Sequence, residues 1–422
     1  MPQYLSPGVY VEEVPSSIKA IAGVSTSTPG FIGVVPNKIH LVAKQEPTAA
    51  DPSTTKFVDF TVPTPAETAV LITNWTQFTR AFGDLVGDAA AAESADTSPA
   101  VDAGHSRLAH AVYGFFNNGG SRCYVARVTS ITDIDDALAA FAAIDEIALV
   151  AVPGVTDDAV RDKLVAHCAK AGDRFAILDG PQTVTDLTTL TRTAAESPTG
   201  CVMPKKTDLA AWYFPWIEVF DPGAKLLAPN GPGVIAVPPS GHIAGVYARV
   251  DNARGVHKAP ANEPIMGALG LSQVLSKADQ DGLNPKGVNC IRVLNANILL
   301  WGARTVGGDM NADLKYINVR RTLLFLRESI DEGTQWVVFE PNEPGLWQKI
   351  SRNVTAFLTN VWRSGALFGT TPQEAFYVKC DAETNPPELR ELGMVVTEIG
   401  VAIVRPAEFV IFRISQMAPQ SK

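Results

Sequence analysis

From residue 123 to residue 195 the sequence alternates short apolar runs with amphipathic stretches, and no other feature restricts the fold as much. Residues 123–128, 147–152 and 175–178 read as strands, and 134–143, 156–171 and 184–195 as the helices that follow them. Strands apolar on both faces are covered on both faces, which is the pattern of a parallel sheet under helices. Thr156-Asp157-Asp158 opens the second helix with side-chain oxygens suited to the free N–H groups of a first turn. Residues 213–220, 233–237, 290–294 and 297–300 add strands, and 240–251 a helix. Upstream, 23–35 is strand-rich and 69–72 is a strand, while 74–82 and 107–117 are helices, with Gly83 ending the first of these. The expected class is α/β (mixed α+β) and multi-domain, because 422 residues are enough for two or three buried cores.

An open parallel sheet invites a nucleotide site, but the turns after its strands do not supply one. They read Val128-Thr129-Ser130, Pro153-Gly154-Val155 and Asp179-Gly180-Pro181, and none is a glycine-rich phosphate cradle. No Gly-x-Ser-x-Gly elbow occurs either. His105 and His110 lie five apart without a carboxylate or cysteine to complete a metal cluster, so they read as a loop and a helix-surface residue. His242 and His257 are expected to pack or hydrogen-bond. No catalytic, cofactor or metal-binding residue is expected, and an α/β enzyme stays a remote alternative. The net charge of -9 argues against a general nucleic-acid binder. Cys123, Cys168, Cys201, Cys290 and Cys380 form no Cys-x-x-Cys pair and read as reduced thiols of a protein folded in a bacterial cytoplasm. No apolar run reaches transmembrane length and no signal sequence opens the chain, so export is expected by lysis or as part of a particle.

Three stretches stand outside the alternation. Residues 36–66, rich in Pro, Thr and Lys, and the Ala/Asp/Ser stretch 84–104 read as surface insertions. Residues 1–22 hold a short extended piece, 9–14, which at a terminus is either floppy or paired with another chain's sheet edge. The carboxyl-terminal third is different again. A helix over 316–327 is expected to stop at Gly333, with a strand at 336–340 and a second helix at about 346–363. Leu346, Ile350, Val354, Phe357 and Val361 share one face of that helix, and Lys349, Arg352 and Arg363 the other. Strands are expected at 376–378, 395–404 and 409–414.

The motifs of this third resemble the tail sheath family of contractile phages and related injection particles. They are Tyr-Ile-Asn-Val-Arg-Arg (316–321), Trp-Val-Val-Phe-Glu-Pro-Asn (336–342), Leu346-Trp347, Glu-Ala-Phe-Tyr-Val-Lys-Cys-Asp (374–381) and Pro-Ala-Glu-Phe (406–409). Residues 238–251, 255–262, 300–305 and the opening 6–14 are similar too. The resemblance implies stacked hexameric rings around an inner tube, contraction that drives the tube through a target envelope, and baseplate and terminal cap proteins as further partners. It implies no nucleic acid and no membrane insertion. It also implies an amino-terminal linking arm (1–22), an outer domain (23–237), an inner sheath domain (238–405) and a carboxyl-terminal linking strand (406–422). The candidate linking residues are Val9, Tyr10, Val11, Phe409, Val410, Ile411, Phe412 and Ile414, arms that add strands to neighbouring subunits. Sheaths of this family touch the tube through an inner-domain helix, which makes Lys349, Arg352 and Arg363 the candidate tube contact; a solvated helix face is the other reading. The compact length and the Tyr4–Tyr10 opening lean toward an extracellular injection system, with a myophage tail sheath and a different shell protein as alternatives.

Overall fold

The computed structural model describes residues 20–44, 56–88, 91, 94, 100–192 and 202–411, and the chain divides into two compact units. The larger takes Val24–Arg327 and resumes at Ile403; the smaller takes Glu328–Ala402 with the residues leading up to Gly23.

The larger unit opens with β1 (Pro29–Val34), β2 (Lys38–Val42), β3 (Phe57–Thr61), β4 (Val70–Ile72), α1 (Trp75–Phe82) and α2 (Ala103–Asn117). The alternating region then gives β5 (Cys123–Val128), α3 (Ile134–Ala142), β6 (Leu149–Ala151), α4 (Asp158–Ala171) and β7 (Phe175–Asp179). Next come β8 (Ala210–Phe214), β9 (Ile217–Phe220), α5 (Pro222–Leu227), β10 (Val234–Val237), α6 (Ser240–Arg254), β11 (Glu263–Pro264) and β12 (Ala268–Leu271). After α7 (Lys277–Leu283), β13 (Val288–Leu294) and β14 (Asn297–Leu300), α8 (Ile317–Thr334) leads on. The main sheet runs β11-β14-β13-β8-β7-β6-β1-β5-β4. Its strands from β13 to β5 are parallel, as their apolar pattern requires, and antiparallel strands close both margins.

Strand order reverses beside β1, where a doubly wound sheet commonly opens a ligand crevice. Here chain atoms occupy the carboxyl ends of the strands. Helix α2 starts so close to β1 that a Cβ on Gly104 would lie 1.9 Å from the Val34 carbonyl oxygen. Past β7, the Asp179 carboxylate accepts from the Gly154 N–H at 2.9 Å and from the Ser240 N–H and hydroxyl at 2.8 and 2.7 Å. A buried ion pair fixes the first half of α8. Arg321 donates to both oxygens of Asp251 on α6, at 3.0 and 2.6 Å, and stacks over Tyr247.

Several expectations need correction. The stretch 36–66 is no mere insertion: β2 and β3 pair as a hairpin that buries Ile39, Leu41 and Val58 in the main core. Its outer face, where Lys38 and His40 bond Asp59, is what made it read as surface. Removing the hairpin would strip several core side chains, each worth about 2–5 kcal/mol. In 84–104, Val86 is buried and Gly87 bridges to Ala43; parts of both stretches lie outside the described residues. Only a short turn, Leu187–Leu190, forms in the described part of 184–195. The run 213–220 splits into β8 and β9 around Pro215. His105 and His110 are buried within α2, neither on a loop nor at the surface. The sheet also runs on past residue 237, through β13 and β14, and the compact units part after Arg327 instead.

The buried histidines set a pH dependence. Burial, with His110 nearby, pushes His242 down to about 3, and burial with Arg174 and Lys170 pushes His167 down to about 4. His105 and His257 are lowered as well, burial first in each case. Folded, these rings stay neutral while the unfolded chain takes up protons near pH 6.5, so their stabilisation is complete above 6.5 and is lost as pH falls toward 3–4. At pH 4.5, two units below the unfolded value, His242 alone costs about 3 kcal/mol by this route. Asp179 works in the opposite direction: burial lifts its carboxyl to about 6, so the folded state gains a proton first and offsets about one histidine. The urea midpoint should therefore be lower at pH 4.5 than at pH 7, and His242→Gln should shrink the difference. Equal midpoints at the two pH values would contradict the burial of these rings.

Candidate functional site

Three features of the carboxyl-terminal third can engage another molecule: a basic helix face, a small sheet with open edges, and an anchored run that ends exposed.

The helix is α9 (Pro344–Arg363), in the smaller unit. Glu343 precedes it in an extended conformation, and proline near its first position tolerates the missing N–H. Leu346, Ile350, Val354, Phe357 and Val361 are all buried, as their spacing predicts. Lys349, Arg352 and Arg363 are exposed, and none forms an ion pair among the described residues. Their positions fall within a narrow arc of the wheel, spread over about 21 Å of helix. The twenty residues of α9 contain no Asp or Glu, so nothing on the helix itself neutralises the stripe.

Two strands follow, β15 (Phe376–Lys379) and β16 (Glu398–Val401), paired antiparallel as a sheet of two. The Ala402 N–H donates to the Ala375 carbonyl at 2.9 Å, which marks that pair as hydrogen-bonded. Alternation along an antiparallel ladder then turns the backbone groups of Phe376 and Val378 to one outer edge, where the Phe376 N–H is taken by the Pro372 carbonyl, and those of Ile399 and Val401 to the other. Among the described residues no strand covers either edge. Unpaired edges of this kind are templates for a further strand. Half-buried side chains on β16 (Ile399, Val401) and the exposed Tyr377 would give such a strand apolar neighbours.

The expected strand at 336–340 is absent. Gln335–Val337 forms a tight helical turn, and Phe339 stands fully exposed with φ at +68°. A bulky residue held in that region costs on the order of 1 kcal/mol. The turn is fixed by Asn342, which donates to the Met394 carbonyl and accepts from the Trp347 indole, both at 2.8 Å. Gly333 does not stop the preceding helix, which runs through Thr334. Close approach explains the glycine, since a Cβ there would lie 2.6 Å from Ile21. The strand expected over 395–404 is confined to β16.

The third feature is the segment after Ile403, which belongs to the larger unit. Its Glu408 carboxylate accepts four hydrogen bonds. Arg304 supplies two, at 2.8 Å each, Asn284 one at 2.7 Å, and the Tyr316 hydroxyl one at 2.9 Å. Burial alone would raise this carboxyl, but the bonds from Arg304, Asn284 and Tyr316 outweigh it and hold it below the ordinary glutamate range. The clamp is thus fully charged at neutral pH and loosens only as pH falls below that range. Immediately beyond, Phe409, Val410 and Ile411 are about 70% or more exposed and belong to no strand. A strand was expected there; among the described residues none pairs with this run. Phe412 and Ile414 lie outside the described residues, as do Val9, Tyr10 and Val11. Sequence reasoning missed the clamp because its members are 92 to 124 positions from Glu408. Arg304, Tyr316 and Glu408 each sat inside a family-like motif, which was the available signal.

Two family descriptions match this architecture: the phage tail sheath protein central domain over residues 129–306, and the phage tail sheath C-terminal domain over 309–417. The chain belongs to the phage tail sheath protein family. Family membership makes it a structural sheath protein by kind. It is similar along its whole length to a chain of the extracellular contractile injection system PVC sheath in its contracted state. That likeness is 26% identical with a TM-score of 0.70, covering all of both chains. A chain of the anti-feeding prophage helical sheath in the contracted state is 26% identical with a TM-score of 0.68, covering 97% of this chain and 99% of that one. A chain from the anti-feeding prophage baseplate gives 27% and 0.67. Among curated relatives, the tail sheath protein of Burkholderia phage BcepMu is 26% identical over 62% of this sheath chain, and that of Vibrio phage KVP40 is 28% identical over 42%. The sheath chain spans about half the length of the first and a quarter of the second.

Proposed function

We propose that the protein is the sheath subunit of an extracellular contractile injection particle. Copies stack as hexameric rings around an inner tube, meet a baseplate at one end and a cap at the other, and contract to drive the tube through a target envelope. The observation that carries this reading is the end-to-end likeness to injection-system sheath chains, set against the partial coverage of the longer phage proteins. A myophage tail remains the second reading, favoured by those two phage relatives; capsid and terminase genes beside this one would establish it.

On this reading, assembly takes place in the bacterial cytoplasm and needs no bond chemistry. Arms at the two termini add strands to the open edges of β15 and β16 in other copies. Strand addition gives directional backbone bonds that survive large rotations of the bodies they join. The lattice can then shorten and widen without coming apart. The basic face of α9 meets the tube, since exposed ion pairs suit a contact that must release. Electron microscopy of the purified protein tests the proposal. Hollow tubes of contracted sheath are expected, whereas closed cages or dispersed monomers at high concentration would overturn it.

A further inference from the structure

The Glu408 clamp has no part in the core of the larger unit, yet it gathers four hydrogen bonds on one carboxylate at the last residue before the exposed run. Two weaker holds precede it. Asn318 donates to the Val404 carbonyl at 3.2 Å, and Arg405 pairs with Asp313 at 2.6 Å, between side chains that are more than half exposed. Behind the clamp the supports are firm. Arg304 is itself buried, and its backbone N–H donates to Oδ1 of Asn289, also buried, at 2.7 Å. Asp309 adds a further ion pair to Arg304. Tyr316 opens the turn that leads into α8.

We propose that Glu408 is the root of the carboxyl-terminal arm: it fixes the point and direction at which Phe409 and the residues after it leave the subunit toward a second copy of this chain. The inference rests on the linkage reading above and adds a requirement to it. An arm that transmits load must be held where it starts, or the first movement of the lattice is absorbed by slack. Without Glu408 the run from Arg405 is free to peel back, adding four residues and roughly 13 Å of reach. A bidentate guanidinium–carboxylate pair buried at one end resists that peeling better than the exposed Arg405–Asp313 pair.

The test compares the full chain with Glu408→Ala, with Tyr316→Phe, with three glycines inserted after Glu408, and with a deletion of 409–422. Limited proteolysis of unassembled protein reads the clamp itself, and cleavage after Arg405 or within 407–411 should be at least about tenfold faster in Glu408→Ala. Tyr316→Phe, which removes one of the four bonds, should fall between that variant and wild type, and serves if Glu408→Ala does not fold. In assembled sheaths, Glu408→Ala and the glycine insertion should share one defect: tubes form, but their axial repeat is irregular. Regular wild-type tubes from Glu408→Ala and Tyr316→Phe would overturn the proposal. Tubes from the 409–422 deletion would overturn the linkage reading, so the two failures are distinguishable.

Discussion

Removing residues 1–14, or residues 409–422, should leave a folded subunit that no longer forms tubes. The carboxyl-terminal cut is the cleaner of the two, because Phe409, Val410 and Ile411 are exposed and the Glu408 clamp is left whole. No core side chain is lost with it among the described residues, so the thermal midpoint should hardly move. Assembly is another matter. On the linkage reading each arm converts a neighbour contact into a tethered one, and losing a tether removes its effective concentration, so the protein concentration needed for tubes should rise by about a hundredfold or more. Sedimentation across a concentration series, with circular dichroism to confirm the fold, measures both. Tube formation at wild-type concentrations by either deletion would remove that arm from the linkage.

Changing Lys349, Arg352 and Arg363 together to Glu should leave folding intact and abolish assembly on a tube. All three are exposed, opposite the buried stripe of α9, so each change should cost no more than about 0.5 kcal/mol of stability. At a contact with an acidic tube the same changes replace attraction by repulsion in every copy of the subunit. The variant should still make empty contracted tubes by itself and should fail to build an extended sheath around a tube. Salt should weaken the wild-type contact in the same direction, since exposed pairs are screened over about 8–10 Å at ordinary ionic strength. Wild-type yield of tube-bound sheath from the triple variant at low salt would return the stripe to solvent.

How far residues alone led depended on whether their partners were close in sequence. The parallel strands β5, β6 and β7 were legible because an apolar run between two helices has few other fates, and α9 because its faces separate cleanly. The hairpin of β2 and β3 was not. Each strand shows water one polar face, and only the pairing of Lys38 and His40 with Asp59 explains why. Trp336 to Phe339 misled in the other direction, being strand-like in composition yet built as a turn, with Val338 and Phe339 held out to solvent. Buried histidines on α2 were misplaced because helix periodicity alone does not say which of two faces meets another helix. The clamp on Glu408 joins positions about a hundred residues apart, and no local pattern encodes that. The open edges of β15 and β16 became visible only once the sheet could be counted and found to have two strands.

The most direct test is a reconstruction of the assembled tube at a resolution that traces backbone, read at the outer edges of β15 and β16. If arms link the subunits, strands from other copies will lie along both edges, bonded to the Phe376 carbonyl and to Val378 on one side and to Ile399 and Val401 on the other. One will carry Val9 to Val11 and another Phe409 to Ile414. Edges left bare, or covered only by the subunit's own chain, would contradict the linkage.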